Sequence, residues 1–447
     1  MADSPAKTAI LYQNHARTVI LIDIPTSIAR AQTCSGSPIL DVLVSSKPLR
    51  QPYLSTEPKS EVARAKVLQR TSLEGQEVHF TMQKHIQIAL QEIRQTHKEE
   101  WCFPRYTSPI KVDESKPRKR KSTEITTGIP ASDEAPGQRP LEPDFPVRNE
   151  TAFWPLGSIQ SPIHLRSTYD ENDNHFADLS SICNCVVRND YDISITMTLD
   201  TIYYYRIPPL SSFILSSVED SLQTFVNAAN NHLSKHSSSA GAGQFDFVIA
   251  DPPWANRSVR RSKKYRTSEH DHNDPWDSIQ AVLGEHLAPG GLVGIWITNK
   301  DEPRRNVLTA FENWGVQLVE EWTWVKTTIH GEPVTELDGL WRRPYEILLL
   351  GRKLRSQSIE NSDPEHFVVT TRIICGVPDL HSRKPSLKEL IEPLMPNSYC
   401  YRALEVFARN LTAGWWSWGD EVLKFNWEVN WVPNGASSTV HGPLHEM

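Results

Sequence analysis

The chain has 447 residues, 38% of them hydrophobic, and a formal charge of -7 at pH 7. That length supports one full-sized α/β domain with large additions or two smaller domains, and the acidic total excludes a protein that coats nucleic acid through its bulk field while leaving room for a local basic surface. Its 32 prolines point to stretches outside any core, and its six cysteines, with Cys183 and Cys185 the one close pair, spell neither a disulfide framework nor a four-ligand zinc pattern, so the thiols are read as reduced and intracellular.

The first thirty residues lack a basic start followed by a long apolar run, and Val19-Ile20-Leu21-Ile22 is cut short by Asp23 and Pro25, so neither a leader nor a membrane span is expected. Ile86, Ala89, Leu90 and Ile93 stand at i, i+3, i+4 and i+7, which predicts a scaffold helix ending near Trp101. From Thr107 to Pro146 the sequence turns to Pro, Ser, Thr, Glu and Lys and reads as a disordered linker. Inside it, Lys116-Pro117-Arg118-Lys119-Arg120-Lys121 has the form of a nuclear import signal or a phosphate contact; a solvated charge run is the plain alternative. Ser237 to Gly243 reads as a surface loop.

After Phe245 the pattern becomes α/β. Phe245 to Ala250, Leu292 to Thr298, Val316 to Lys326, Tyr345 to Leu350, Phe367 to Ile374 and Ala403 to Phe407 read as strands. Ser278 to Leu287 reads as a helix closed by Pro289-Gly290-Gly291, and a second helix starts at Ser386 with Glu389 completing a capping box. Such alternation predicts a doubly wound, Rossmann-like sheet with helices on both faces and ligands beyond the carboxyl ends of the strands.

Asp251-Pro252-Pro253-Trp254 follows directly on the strand Phe247-Val248-Ile249-Ala250, at such a strand end. The exocyclic amine of adenine is a poor nucleophile because its lone pair is delocalised into the ring. A carboxylate and a backbone carbonyl that each accept one of its N–H groups favour the pyramidal form in which the pair is free, and an aromatic ring holds the base by stacking. Asp251 supplies the carboxylate and Trp254 the ring. Proline between them lacks an N–H and leaves its carbonyl exposed, Pro252 more than Pro253. The plain alternative, a strand-ending turn, explains the Asp and one Pro but not the pair of prolines followed by Trp. Six of the ten residues from Arg257 to Arg266 are Lys or Arg, which suits steering of a phosphate backbone.

These blocks resemble the eukaryotic family of RNA and DNA adenine N(6)-methyltransferases. The matching stretches are Ile207 to Phe213, Asp251 to Tyr265, Glu321 to Lys326, Arg343 to Glu346 with Leu350 to Arg352, His381 to Pro385, Phe407 to Leu411 and Trp418 to Phe425, in the family's order and over about half of the chain. The resemblance implies a Rossmann-like methyltransferase domain over 207–430, preceded by an accessory region (1–106), the linker (107–146) and a middle region (147–206), and followed by a flexible tail (431–447). It implies S-adenosylmethionine as cofactor, held by Asp251, Lys384, Arg409, Asn410, Asp420 and Glu421, with Lys384 on its carboxylate, Arg409 and Asn410 toward the ribose and methionine parts, and Asp420 and Glu421 near the ribose hydroxyls or the adenine. The family usually has Asn where this chain has Asp420.

On the substrate side the resemblance implies Asp251, Pro252, Pro253 and Trp254 at the reacting amine, Glu346 at the edge of the acceptor pocket, and Asn256, Arg257, Arg260, Arg261, Lys263, Lys264 and Tyr265 along the strand. It favours RNA, in particular a ribose-methylated adenosine of U2 small nuclear RNA, with DNA adenine and a catalytically silent RNA-binding scaffold as the alternatives; the basic run Lys116 to Lys121 points to the nucleus, with the cytoplasm also open. Some members work only with a degenerate partner subunit, and the region before Ile207 either stands in for one or leaves a separate partner to be bound. Trp415, Trp416 and Trp418 are expected in the core rather than against a base.

Overall fold

The apolar runs that read as strands pair into a single sheet. The computed structural model describes residues 8–34, 36–55, 57–58, 60–68, 72–107, 161–167, 173–232, 243–254, 275–355, 368–380, 382–398 and 400–434. Its main sheet has twelve strands, in chain order β1 (Ile10–Gln13), β2 (Val19–Ile22), β3 (Ile163–His164), β4 (Val186–Arg188), β5 (Ser212–Leu215), β6 (Phe245–Ala250), β7 (Leu287–Ile297), β8 (Val316–Lys326), β9 (Tyr345–Lys353), β10 (Thr370–Gly376), β11 (Ala403–Val406) and β12 (Trp415–Gly419). Across the sheet the order is β1-β2-β10-β8-β9-β7-β6-β11-β12-β5-β4-β3.

β6 sits in the middle, parallel to β7 on one side and to β11 on the other, and the parallel run continues through β12 to β5. A strand buried on both faces should read as a continuous apolar run, and in β6 every residue but Asp246 is buried. Alternate residues feed opposite layers. Val248, Ala250, Ile295, Leu404 and Val406 pack with the helices Leu73–Thr96, Leu222–His232, Pro275–His286 and Asp301–Asn313. Phe247, Ile249, Trp296, Ala403 and Trp415 pack on the other side with the helix Ile24–Ala31 and with Leu387, Leu390 and Ile391. This is the doubly wound α/β architecture, with β9 inserted antiparallel between β7 and β8.

The amphipathic helix spans Leu73–Thr96, capped by Ser72, whose hydroxyl accepts the Gly75 N–H. Ile86, Ala89, Leu90 and Ile93 are all buried, each larger side chain contributing about 1.5–3 kcal/mol. It ends five residues before Trp101, because His97 turns extended and Trp101 is drawn away to donate its N–H to the Ile329 carbonyl. β7 begins at Leu287, earlier than expected, with a register break against β6 where Pro289, Gly290 and Gly291 fall.

The helix expected from Ser386 is a single turn, Lys388–Ile391, without a side-chain cap. Glu389 does not close a capping box, because its carboxylate is taken by the Thr8 hydroxyl and the Ala9 N–H from the other end of the chain. The first hundred residues also enter the main sheet, since β2 pairs in parallel with β10 and β1 with β2. The basic run 116–121 and nearly all of the expected linker lie outside the described residues. Among the described residues no helix is long and apolar enough to cross a membrane.

Candidate active site

β6 and β11 lie side by side and end together, and the residues that follow them form the floor of a cleft. Asp251 leaves β6 with its N–H toward the Val406 carbonyl at 3.4 Å. After β11 the chain turns sharply at Phe407, whose φ of +58° is a left-handed conformation rarely taken by a bulky residue. Such turns usually carry glycine. Here the turn is held by the Ala408 N–H on the Trp418 carbonyl at 3.0 Å. It also packs on Gly419, where a Cβ would come within 3.1 Å of the Ala408 backbone. Arg409 and Asn410 are thereby delivered to the cleft wall.

Four carboxylates and four cations cluster there, with Arg383, paired to Asp379 at 2.6 Å, beside them. Lys384 Nζ lies 3.6 Å from Asp251 Oδ1 and donates to the Glu346 carboxylate, while sitting 4.5 Å over the Trp296 ring. Glu346 also accepts from Lys326 at 2.6 Å. Arg409 donates to Glu421 at 3.0 Å, and its other arm lies 3.9 Å from Asp251 Oδ2. Lys424 completes the Glu421 pair at 3.2 Å. Burial pushes the Glu346 carboxyl up, but Lys326 and Lys384 overcome it and hold the group well below the ordinary carboxylate range. Glu421 is held down in the same way, burial opposing and Lys424 and Arg409 prevailing. The fourth carboxyl, Glu405, lines the cleft from the middle of β11, and burial next to the Asp251 charge pushes it up to about 8.

The tetrapeptide is built into the wall. Trp254, expected to stack on a base, is instead buried, because its indole N–H donates to the Trp296 carbonyl at 2.7 Å and its ring lies against Trp276 with centroids 5.4 Å apart. The Pro252 carbonyl accepts the Trp254 N–H at 2.8 Å, which uses one of its two lone pairs and leaves the other. Glu346 is positioned from behind. His79, from the helix Leu73–Thr96, accepts from Arg343 at 2.6 Å and hydrogen-bonds the Tyr345 hydroxyl at 2.9 Å, pinning the residues that lead into Glu346. Burial, with the Arg343 charge, lowers the His79 pKa to about 4, so the ring is neutral and its Nε2 free to accept.

Of the residues expected in the site, Asp251, Lys384, Arg409, Glu421 and Glu346 form one connected network, and Asn410 lines the same cleft. Asp420 is exposed beside Glu421. Asn256, Arg257, Arg260, Arg261, Lys263, Lys264 and Tyr265 lie outside the described residues. Trp415, Trp416 and Trp418 are all buried. Sequence reasoning missed Lys326, Trp296 and Glu405; a lone charge in the otherwise apolar Ala403-Leu404-Glu405-Val406 was the one signal for the last.

The donor set suits a zwitterionic, sulfonium-bearing ligand such as S-adenosylmethionine. Lys384 and Arg409 offer cations to a carboxylate, and Asp251 offers an anion to an ammonium. Glu405 has no hydrogen-bond or ion-pair partner for its carboxyl among the described residues. Walls of Trp296, Phe407 and Trp415 offer apolar surface.

Proteins similar to this chain include N6-adenine methyltransferases. The family model MT-A70 matches residues 245–421. N6-methyladenosine RNA methyltransferase MTA1 of Cryphonectria parasitica is 30% identical over 95% of this chain and 94% of its own length. N(6)-adenine-specific methyltransferase METTL4 of Homo sapiens is 36% identical, over 49% of this chain and 43% of its own. A DNA N6-methyl methyltransferase of Caenorhabditis elegans is 31% identical over 46% of this chain and 50% of its own.

Proposed function

The chain belongs to the MT-A70 family, and on that premise we propose that it transfers a methyl group from S-adenosylmethionine to the N6 amine of adenine in RNA. The observation that carries the reading is the position of Asp251: it ends the central strand inside a cleft that also holds Lys384 and Arg409, the cations suited to the cofactor's carboxylate. When bound, the cofactor supplies an electrophilic methyl group. The protein does the rest by placement. Asp251 and the free lone pair of the Pro252 carbonyl accept the two N–H groups of the adenine amine, so that the nitrogen pyramidalises and its developing positive charge meets a fixed negative one. Trp254 holds the loop in register through Trp296. Glu346, fixed by Lys326 and Lys384, borders the base. Asn256, Arg257, Arg260, Arg261, Lys263, Lys264 and Tyr265 carry the phosphates and neighbouring bases of the strand.

RNA is favoured over DNA because the likeness to the RNA enzyme MTA1 runs nearly the whole length of both chains, whereas that to the DNA enzyme covers about half. The finer target is a ribose-methylated adenosine of U2 small nuclear RNA, and the basic run Lys116 to Lys121 supports a nuclear site of action. The test is mass spectrometry of nucleosides after the purified protein and isotopically labelled cofactor are incubated with total RNA, with U2 RNA carrying or lacking the ribose methyl, and with DNA. Label in N6-methyladenosine of RNA is expected. Label confined to DNA overturns the substrate class, equal label with and without the ribose methyl overturns the finer target, and no label in any pool overturns the enzyme.

A further inference from the structure

We propose that Glu405 is a proton-linked counter-ion for the cofactor: its carboxyl is neutral in the free protein and gives its proton to solvent when the positive charge of S-adenosylmethionine enters the cleft. The inference rests on the methyltransferase reading above and adds a residue that neither the sequence motifs nor the comparisons assign.

Glu405 is the one charged residue of β11, and its neighbours across the sheet, Ile249 on β6 and Ser417 on β12, carry no charge. The charged groups that face it come from the strand ends and from one loop. Asp251 follows β6, Arg409 follows β11, and Lys384 comes from the segment ahead of the turn Lys388–Ile391, together with Arg383, whose guanidinium is paired with Asp379 at 2.6 Å. Behind Arg409 stand Glu421 and Lys424 after β12, and behind Lys384 stand Glu346 on β9 and Lys326 on β8. Every cation in this set is committed: Lys384 to Glu346 and Asp251, Lys326 to Glu346, Arg409 to Glu421 and Asp251, Lys424 to Glu421, Arg383 to Asp379. A second negative charge on Glu405, beside that of Asp251, therefore meets no counter-ion of its own.

Burial and the Asp251 charge accordingly push Glu405 up to about 8, with Arg409 pulling only part of the way back. At neutral pH the group keeps its proton. S-adenosylmethionine brings a sulfonium and an ammonium against one carboxylate, a net positive charge, and an added cation lowers the pKa of a nearby acid. The proton then leaves, and the new carboxylate holds the cation that displaced it. After methyl transfer the sulfur is neutral. Glu405 recovers its proton and loses its hold, so the same group that favours the methyl donor favours release of S-adenosylhomocysteine.

The test is isothermal titration of the full chain at pH 7 with S-adenosylmethionine and with S-adenosylhomocysteine, each in phosphate and in Tris, where the difference in apparent enthalpy reads protons exchanged. The sulfonium makes the α-ammonium of S-adenosylmethionine the more acidic of the two, so binding it in charged form takes up protons, which opposes the release sought and does not imitate it. We expect S-adenosylmethionine to release at least about half a proton more than S-adenosylhomocysteine. Glu405→Gln, which keeps the neutral shape, should bind both ligands, lose that difference and lower the preference for S-adenosylmethionine by ~10-fold at pH 8, the effect of one pKa unit of coupling. Circular dichroism checks that the variant is folded. Should it not fold, the wild-type preference measured from pH 6 to 8 decides instead, rising if the proposal holds and flat if it fails. Binding of both ligands with no difference in proton release overturns the role of Glu405 and leaves the methyltransferase standing; binding of neither overturns the methyltransferase reading and this inference with it.

Discussion

The indole N–H of Trp254 donates to the backbone carbonyl of Trp296 at 2.7 Å, so the last residue of Asp-Pro-Pro-Trp is fastened to the neighbouring strand β7. Trp254→Phe keeps a ring in the wall but leaves that buried carbonyl without its donor. The expected cost is about 1–3 kcal/mol, read from urea unfolding. Because the loop is then held at one point fewer, methyl transfer should fall further than the folded fraction does. A variant that is less stable yet fully active per folded molecule would show that the tether serves the core alone.

Asp251→Ala should abolish methyl transfer while cofactor affinity stays within a few-fold, since the carboxylate acts mainly on the amine and Lys384 and Arg409 keep their partners Glu346 and Glu421. Asp251→Asn should be nearly as damaging, because an amide presents a donor where an acceptor is needed and brings no charge to meet the developing cation. Single-turnover rates together with titration of S-adenosylhomocysteine separate chemistry from binding. Near wild-type turnover in both variants would sink the mechanism.

Lys384 joins Asp251 and Glu346 and leans on the Trp296 ring, which makes it the hub of the network. Lys384→Ala should weaken binding of S-adenosylhomocysteine by about tenfold or more, since the cofactor's carboxylate then lacks its charged donor, and should weaken RNA binding far less. Titration with each ligand measures the two effects. Unchanged cofactor affinity would remove Lys384 from the binding role.

His79 gives a pH signature. Burial and the Arg343 charge lower its pKa to about 4 in the folded protein, against ~6.5 in the unfolded chain. The unfolded state therefore takes up the proton first as pH falls. The stability this provides is complete above ~6.5 and is lost progressively down to about 4, amounting to roughly 1–3 kcal/mol. Urea midpoints at pH 7 and pH 5 should differ in the wild type and converge in His79→Gln; equal slopes in the two proteins would show that other groups carry the acid sensitivity.

The stretch from Arg257 to Arg266, with six basic residues just past Asp251-Pro252-Pro253-Trp254, should hold the RNA by its phosphates. Changing Arg260, Arg261, Lys263 and Lys264 to Gln should weaken binding across sequences and flatten the dependence on salt, by about 0.7 of the slope for each phosphate of a single strand that is no longer neutralised. Adenine should remain the only base methylated, with the deficit in KM. Binding isotherms at several salt concentrations decide it, because an unaltered slope means that these side chains face something other than the strand.

What could be read from the sequence was what repeats with a period or follows immediately in the chain. β6 and β8 fell where their apolar runs begin and end, and Ile86 to Ile93 announced their helix. Asp251 stood out because a carboxylate, two prolines and a tryptophan adjoin one another at a strand end. Lys326, Trp296 and Glu405 did not, because each becomes part of the site only when β8, β7 and β11 come together, and a single Lys, Trp or Glu in a strand looks like any other. The capping box failed for a related reason: Glu389 had the right spacing for a local bond, and a distant segment, Thr8 and Ala9, took it instead.

The pairing of β2 with β10 sets the order in which the chain can be assembled. Ile20 finds its partner Ile374 only after most of the protein has been synthesised, and closing so long a loop is slow compared with forming the helix Leu73–Thr96 or the β8–β9 pair. On the ribosome, the fully apolar Val19-Ile20-Leu21-Ile22 must wait with an unsatisfied edge while the strands from β6 onward emerge. A nascent chain with such a segment exposed is a client for chaperones and a point where misassembly begins. β2 is therefore made long before the strand that houses it, and its safety during synthesis depends on a partner that lies more than three hundred residues downstream.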